Sequence, residues 1–344
     1  MRKNSLSILT NNYSRNDSKR VLYKLFMFAL LFLLGGCSEN TNKIVEKFPT
    51  EKQLKPIKIH NLDSLYSAYS IVTDGNVFLF AQKKKSKFFV VTDNRYNITG
   101  ELCPAGNGHG EWNSPIVTGQ FEQHESLPCA YILERSTHSL FLQPTNGEAP
   151  TLVEGFMAKD ITSIRNVFKI NENSFLGTLD DDNCEFFKYD KSTQNVTRFS
   201  HPIPDTGNMG DMSHMLLQTL ATYNESEQKI AISYYSYPLI IIRDTDGNIK
   251  YTIQMEKSLP HYTGDAEADP HLYFKAIKSD DKYIYALYSP DEQSTNDYIL
   301  VFSWSGDAVA KYAISPAMDF AVDSNGKRFV AIDDETGLCV EYRW

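Results

Sequence analysis

Residues 229–254 read KIAISYYSYPLIIIRDTDGNIKYTIQ. Three runs, Lys229–Tyr235, Leu239–Asp244 and Ile249–Gln254, are separated by Ser236-Tyr237-Pro238 and Thr245-Asp246-Gly247-Asn248. β-Branched and aromatic side chains favour an extended, pleated chain, and Asp, Gly and Asn tolerate the positive φ of a tight reversal. The stretch is therefore expected to form three consecutive antiparallel strands. His214–Tyr223, just upstream, supplies a fourth of the same character.

This quartet recurs. Groups of strand-like runs start at residues 66, 116, 161, 214, 271 and 317, between 45 and 57 residues apart. The turns between third and fourth strands are alike: TDNRYN (92–97), QPTNGEAP (143–150), RDTDGN (243–248) and SWSGDA (303–308). Four-stranded groups at this period predict the blades of a β-propeller. The sixth group has three runs, Ala317–Val322, Arg328–Asp333 and Leu338–Tyr342. Leu54–Leu62 (LKPIKIHNL) is left over and can serve as its outer strand, which closes the ring and removes an open sheet edge. The expected fold is all-β, a six-bladed propeller over residues 54–344, its last blade closed by an N-terminal strand. An irregular pair of β-sandwiches is the alternative.

The chain of 344 residues is 42% hydrophobic and 22% charged, enough to bury a large core. Its formal net charge is −9, but residues 1–36 hold six basic side chains and one acid, so the remainder carries 28 against 42, a net −14. An acidic body without a basic block argues against nucleic acid as a partner.

The basic end is followed by an apolar run, Leu25–Leu34, of ten residues, too short to span a bilayer. Leu34-Gly35-Gly36-Cys37 comes next. Basic segment, short apolar segment and small residues before a cysteine resemble a bacterial lipoprotein signal. The resemblance implies a leader over residues 1–36, a lipidated Cys37 and a flexible polar tether to residue 53. Ser38, where an inner-membrane retention signal often has Asp, points to the outer membrane. Cys103, Cys129, Cys184 and Cys339 show no CxxC spacing, which disfavours a zinc ribbon. They read as small buried hydrophobes, with a Cys103–Cys129 bridge left open.

After the first quartet comes Ala105-Gly106-Asn107-Gly108-His109-Gly110-Glu111-Trp112. This turn, the repeat and the leader are similar to the TolB-like six-bladed propeller lipoproteins of Gram-negative bacteria. The loop residues that carry the likeness are Gly106, Gly108, His109, Gly110, Glu111 and Trp112. The resemblance implies the fold and an envelope location, and it implies no particular reaction.

Topology narrows the place for a site. Connectors from the last strand of one blade to the first of the next lie on one face, together with the second-to-third-strand loops. Two such connectors, His201–His214 and His261–His271, bring four histidines to that face, with Asp265, Glu267 and Asp269 in the second. Imidazoles beside carboxylates suit a divalent cation. His201, His214, His261, His271, Asp265, Glu267 and Asp269 are thus candidates for a ligand or metal site. Trp112, Trp304, Tyr234, Tyr235 and Tyr237 could stack on sugars or pack between blades. There is no Gly-x-Ser-x-Gly elbow, P-loop or dinucleotide fingerprint. Two functions follow as expectations. One is a lipid-anchored, non-catalytic binding or scaffold module for an envelope protein or glycan. The other is a metal-assisted lyase or hydrolase of polysaccharide.

Overall fold

The computed structural model describes residues 41–60, 65, 67–83, 86–157, 161, 163–181, 183–203, 213–262, 270–291 and 293–344. Three short strands come first: β1 (Thr41–Ile44), β2 (Thr50–Gln53) and β3 (Lys58–His60). Blade one is β4 (Ala68–Thr73), β5 (Val77–Gln82), β6 (Lys87–Asp93) and β7 (Ile98–Pro104). Blade two is β8 (Pro115–His124), β9 (Leu127–Glu134), β10 (Ser139–Pro144) and β11 (Thr151–Gly155). Blade three is β12 (Ile164–Lys169), β13 (Ser174–Leu179), β14 (Phe186–Asp190) and β15 (Asn195–Phe199). A single helical turn, α1 (Ser213–Leu216), precedes blade four: β16 (Thr219–Asn224), β17 (Lys229–Tyr234), β18 (Leu239–Asp244) and β19 (Ile249–Gln254). Blade five is β20 (Phe274–Ser279), β21 (Tyr283–Tyr288), β22 (Asp297–Ser303) and β23 (Ala308–Ile314). β24 (Ala317–Asp323), β25 (Arg328–Asp333) and β26 (Cys339–Arg343) begin blade six, and β3 completes it by antiparallel pairing with β26. The protein is an all-β, six-bladed propeller closed as its sequence implies.

Sequence and structure part company at two places. The run from His214 does not begin as a strand, because Ser213–Leu216 forms α1 and the sheet starts at Thr219. The polar segment expected to be a tether is also bound over residues 41–53. β1 lies parallel to β19 at the rim of blade four, and β2 lies parallel to β23 at the rim of blade five. The physical reason is that an outer strand presents a row of unpaired N–H and C=O groups, which any extended backbone can satisfy whatever its side chains. Side chains then fix the strap in place. Lys43 reaches Asp307 at 2.6 Å and the Ser305 carbonyl at 2.7 Å, the Phe48 ring sits 5.6 Å from that of Phe302, and Leu54 is buried in the seam between blades five and six.

The core is a set of seams between blades. Phe89 and Val91 meet Ala130 and Ile132 between blades one and two. Leu133 meets Phe175 and Phe187 in the next seam, and Phe168 meets Tyr223 and Ile230 in the one after. Ile240 packs with Ile284 and Phe302, Tyr285 with Phe329 and Tyr342, and Phe78 with Val330. All four cysteines of the propeller are free and buried, so no Cys103–Cys129 bridge forms. Burial pushes the Cys339 thiol up to about 12, which leaves it inert near neutral pH.

The recurring Asp of the outer turns has one job in several blades. Asp93 accepts bonds from the Arg95 and Asn97 N–H groups, Asp190 from Thr193, and Asp244 from Asp246 and Asn248. The Asn97 side chain at Asp93 and the Ser192 hydroxyl at Asp190 hold those carboxyls below the ordinary carboxylate range. At Asp307 the Lys43 ammonium does the same. A lowered folded-state pKa gives stability that is full above the unfolded value, about 3.9, and is lost as pH falls through the folded one. Thermal melts are therefore expected to show a falling midpoint below about pH 4, and Asp93→Asn should weaken that acid response. An acid limb unchanged by the substitution would refute the assignment.

Candidate binding face at the channel mouth

The first strand of each blade faces the centre. Together β4, β8, β12, β16, β20 and β24 wall a channel of about 380 Å³. The walls are joined by polar bonds between neighbouring blades. Gln120 exchanges two bonds with the Lys169 backbone (3.0 and 2.8 Å), and Thr222 bonds Ser279 at 2.7 Å. Asp319 accepts from the Ser70 hydroxyl (2.6 Å), the Ile71 N–H (3.0 Å), the Phe320 N–H (2.8 Å) and the Lys278 ammonium (3.1 Å).

The charged residues in this wall are Arg135, Arg165, Lys275, Lys278 and Asp319, four cations against one carboxylate. That balance runs against the chain's formal net charge of −9. Lys278 is committed to Asp319, and Lys275 to Asp297 at 3.0 Å and Asp334 at 3.4 Å. Asp297 is itself buried and also accepts the Ala317 N–H. The two arginines stand at the end of β9 and near the start of β12, which places both on the connector face between blades two and three. A side groove of about 270 Å³ opens there, lined by Ser114, Ser136, Ser163, Arg135, Arg165 and Asp180. Arg165 bonds Asp180 at 3.3 Å and lies 5.0 Å over the Tyr235 ring. The Arg135 guanidinium donates to the Ser114 hydroxyl at 3.0 Å. Burial pushes the Tyr69 hydroxyl up, and the Arg135 charge beside it pulls in the other direction.

The histidines singled out by sequence are dispersed in role. His201 bonds the Tyr234 hydroxyl through Nδ1 (3.1 Å) and the Asp181 carbonyl through Nε2 (3.2 Å). His271 bonds the Ser289 carbonyl through Nε2 (2.9 Å) and stands edge-on to Tyr273. His214, on α1, and His261 are exposed. Asp265, Glu267 and Asp269 lie outside the described residues, as does Cys37. Among the described residues no three His, Cys, Asp or Glu side chains gather as metal ligands.

Behind His201 lies a buried charge that sequence reasoning missed. Glu185 is fully buried and takes Arg243 in two bonds (2.7 Å to Nε, 2.6 Å to Nη2), while the Tyr234 hydroxyl donates to its other oxygen. Arg243 also donates to the Gly247 and Ser200 carbonyls. Burial pushes the Glu185 carboxyl up, against the pull of Arg243 and Tyr234. This cluster clamps blade three to blade four.

The glycine-rich turn is architectural. The Glu111 carboxylate folds back to accept the Gly108 N–H at 2.7 Å, and a Cβ on Gly106 would stand 2.0 Å from it. Gly110 sits at φ +78°, His109 is exposed, and Trp112 is buried with its ring 4.9 Å from that of Phe141. The turn thus aims Trp112 into the seam between blades one and two. Gly106→Ala is expected to cost about 1–3 kcal/mol by denaturant titration, since the new methyl must displace Glu111. A loss below about 0.5 kcal/mol, the range of an ordinary surface change, would show that the carboxylate does not order the turn. Of the other aromatics, Trp304, Tyr234 and Tyr237 are buried packing groups, and Tyr235 faces the channel.

The arrangement defines a propeller with a walled polar channel and a basic lip. No protein-family description matches the sequence, and no curated protein does. Solved structures match the fold. A member of the DUF4221 family from Bacteroides vulgatus is 13% identical, with a TM-score of 0.54 over 85% of this chain and 97% of that one. A Bacteroides fragilis protein described as exported is 10% identical, with a TM-score of 0.52 over 86% and 88%. Chaetomium thermophilum Raptor is 8% identical, with a TM-score of 0.54 over 85% of this chain and 29% of that one. These likenesses are of fold.

Proposed function

We propose that the chain is a lipid-anchored envelope propeller that binds a protein or glycan partner at its channel mouth and performs no chemistry on it. The observation that carries this reading is the state of the channel's acid–base groups. Asp319 is saturated by four donors and Lys275 and Lys278 are held in ion pairs, while His201 and His271, outside the channel wall, are bonded to the fold around them. A general base must reach the proton it removes, and these groups are turned to the fold instead. The anchor rests on Leu34-Gly35-Gly36-Cys37, and the exported Bacteroides protein of like fold supports an envelope location.

Three measurements test this. Cys37→Ser should move the protein from the membrane fraction to the soluble one, and unchanged partition would refute the anchor. A pull-down from membranes with the anchored form should capture a partner that Arg165→Glu releases. Stoichiometric uptake of a divalent cation after stripping and reloading would favour the metal-assisted enzyme instead.

A further inference from the structure

Arg135 and Arg165 are the two channel cations without a short carboxylate partner. Among the described residues Arg135 has no ion pair, and its donors reach only the Ser114 hydroxyl. Arg165 has one contact to Asp180, at 3.3 Å, and that carboxylate is itself 43% exposed. Both line the central channel and the side groove, so they mark the point where the two spaces join. The guanidinium fork matches an oxyanion in two parallel bonds, and it is less strongly hydrated than an ammonium, so it surrenders water to a ligand more readily.

The surroundings specify more than charge. Tyr69 and Tyr235 border the same mouth. The Arg165 guanidinium lies 5.0 Å over the Tyr235 ring, a contact that restricts its motion and lowers the entropy lost when the fork closes on a ligand. Ser114 and Ser163 add hydroxyls in the groove. An aromatic edge with hydroxyl donors and a pair of forks suits a ring that is polar at its rim and anionic at one point. The space of about 380 Å³ is that of one or two sugar rings and is far too narrow for a folded domain.

We propose that Arg135 and Arg165 form an oxyanion site that takes the acidic group of a sugar, carboxylate or phosphate, at the mouth of the channel. The inference rests on the reading of this mouth as the binding face. Of the four cations of the wall, Arg135 has no carboxylate partner among the described residues and Arg165 has only the part-exposed Asp180, so their charge is the least neutralised by the fold.

The test is calorimetric titration of the intact propeller with galacturonate, with glucose 6-phosphate and with neutral glucose, each at up to about 10 mM so that millimolar affinity registers. Heat from either acidic sugar, none from glucose, and a fall in affinity with added salt are expected. Galacturonate against the phosphate separates the two sources of the anion. Arg165→Gln and Arg135→Gln should each weaken binding about tenfold or more, while Arg165→Lys should recover only part, since a point charge cannot form the fork. Neither arginine belongs to an apolar cluster between blades, so the thermal midpoint of each variant should stay near that of the parent and show that the loss is local. Silence from both acidic sugars, or equal binding of glucose, overturns the proposal. If that happens while Arg165→Glu still releases a membrane partner, the binding-module reading stands alone. If no partner is released either, both fall.

Discussion

Replacing Arg243 by Ala is expected to lower the unfolding free energy by about 3–5 kcal/mol, among the largest effects of any single substitution in the molecule. Glu185 is fully buried, and with Arg243 gone its carboxylate would keep only the Tyr234 hydroxyl. An uncompensated buried charge costs far more than the pair contributes over an apolar replacement. The double variant Glu185→Leu, Arg243→Met should therefore recover much of the deficit. The sign of the pH response adds a second check. Burial already pushes the Glu185 carboxyl up, and losing Arg243 pushes it further. The folded variant then takes up a proton more readily than the unfolded chain, so its deficit should shrink as pH falls from about 8 to about 5. A deficit that stays constant over that range, or a double variant no better than the single one, would contradict the account.

The second large effect concerns the N-terminal strap. A chain beginning at Leu54 loses β1 and β2, with the Lys43 ion pair and the Phe48 contact, yet keeps the closing strand. It should fold with a reduced melting midpoint. A chain beginning after His60 loses Leu54, whose burial alone is worth about 2–5 kcal/mol, and bares the edge of β26. That chain is expected to aggregate or to melt cooperatively only well below the first. Equal midpoints for the two would mean that ring closure through β3 contributes nothing.

The sequence announces the blades because their strands are marked by what is periodic and apolar. It also announces the spacing of contacts between blades. Glu185 to Arg243 is 58 residues, Tyr234 to Glu185 is 49, Gln120 to Lys169 is 49 and Thr222 to Ser279 is 57, all close to one repeat. An acid and a base one repeat apart at apolar positions is thus a sequence sign of a clamp between blades. β1 and β2 were not legible, since Thr41–Ile44 and Thr50–Gln53 are polar and are held by backbone bonds that leave no trace in side-chain pattern. The two arginines of the mouth are hidden in the sequence for a different reason. Arg135 and Arg165 are isolated in sequence and become neighbours only when strand ends are sorted by face, as the histidines were. Sorting by face brings forward two histidines bonded within the fold, His201 and His271, and two exposed ones, His214 and His261, because a face assignment says nothing of what each ring touches.

The strap also makes the six blades unequal neighbours to the outside world. Blades four, five and six each end in N-terminal chain, whereas β7, β11 and β15 end blades one, two and three. Half of the perimeter is therefore hemmed and half is selvedge, and the open half carries Ile98 and Leu152 exposed on its outer strands. The hemmed arc offers as its edges strands of only three or four residues, whereas the open arc offers strands of five to seven, the longer template for strand-to-strand joining.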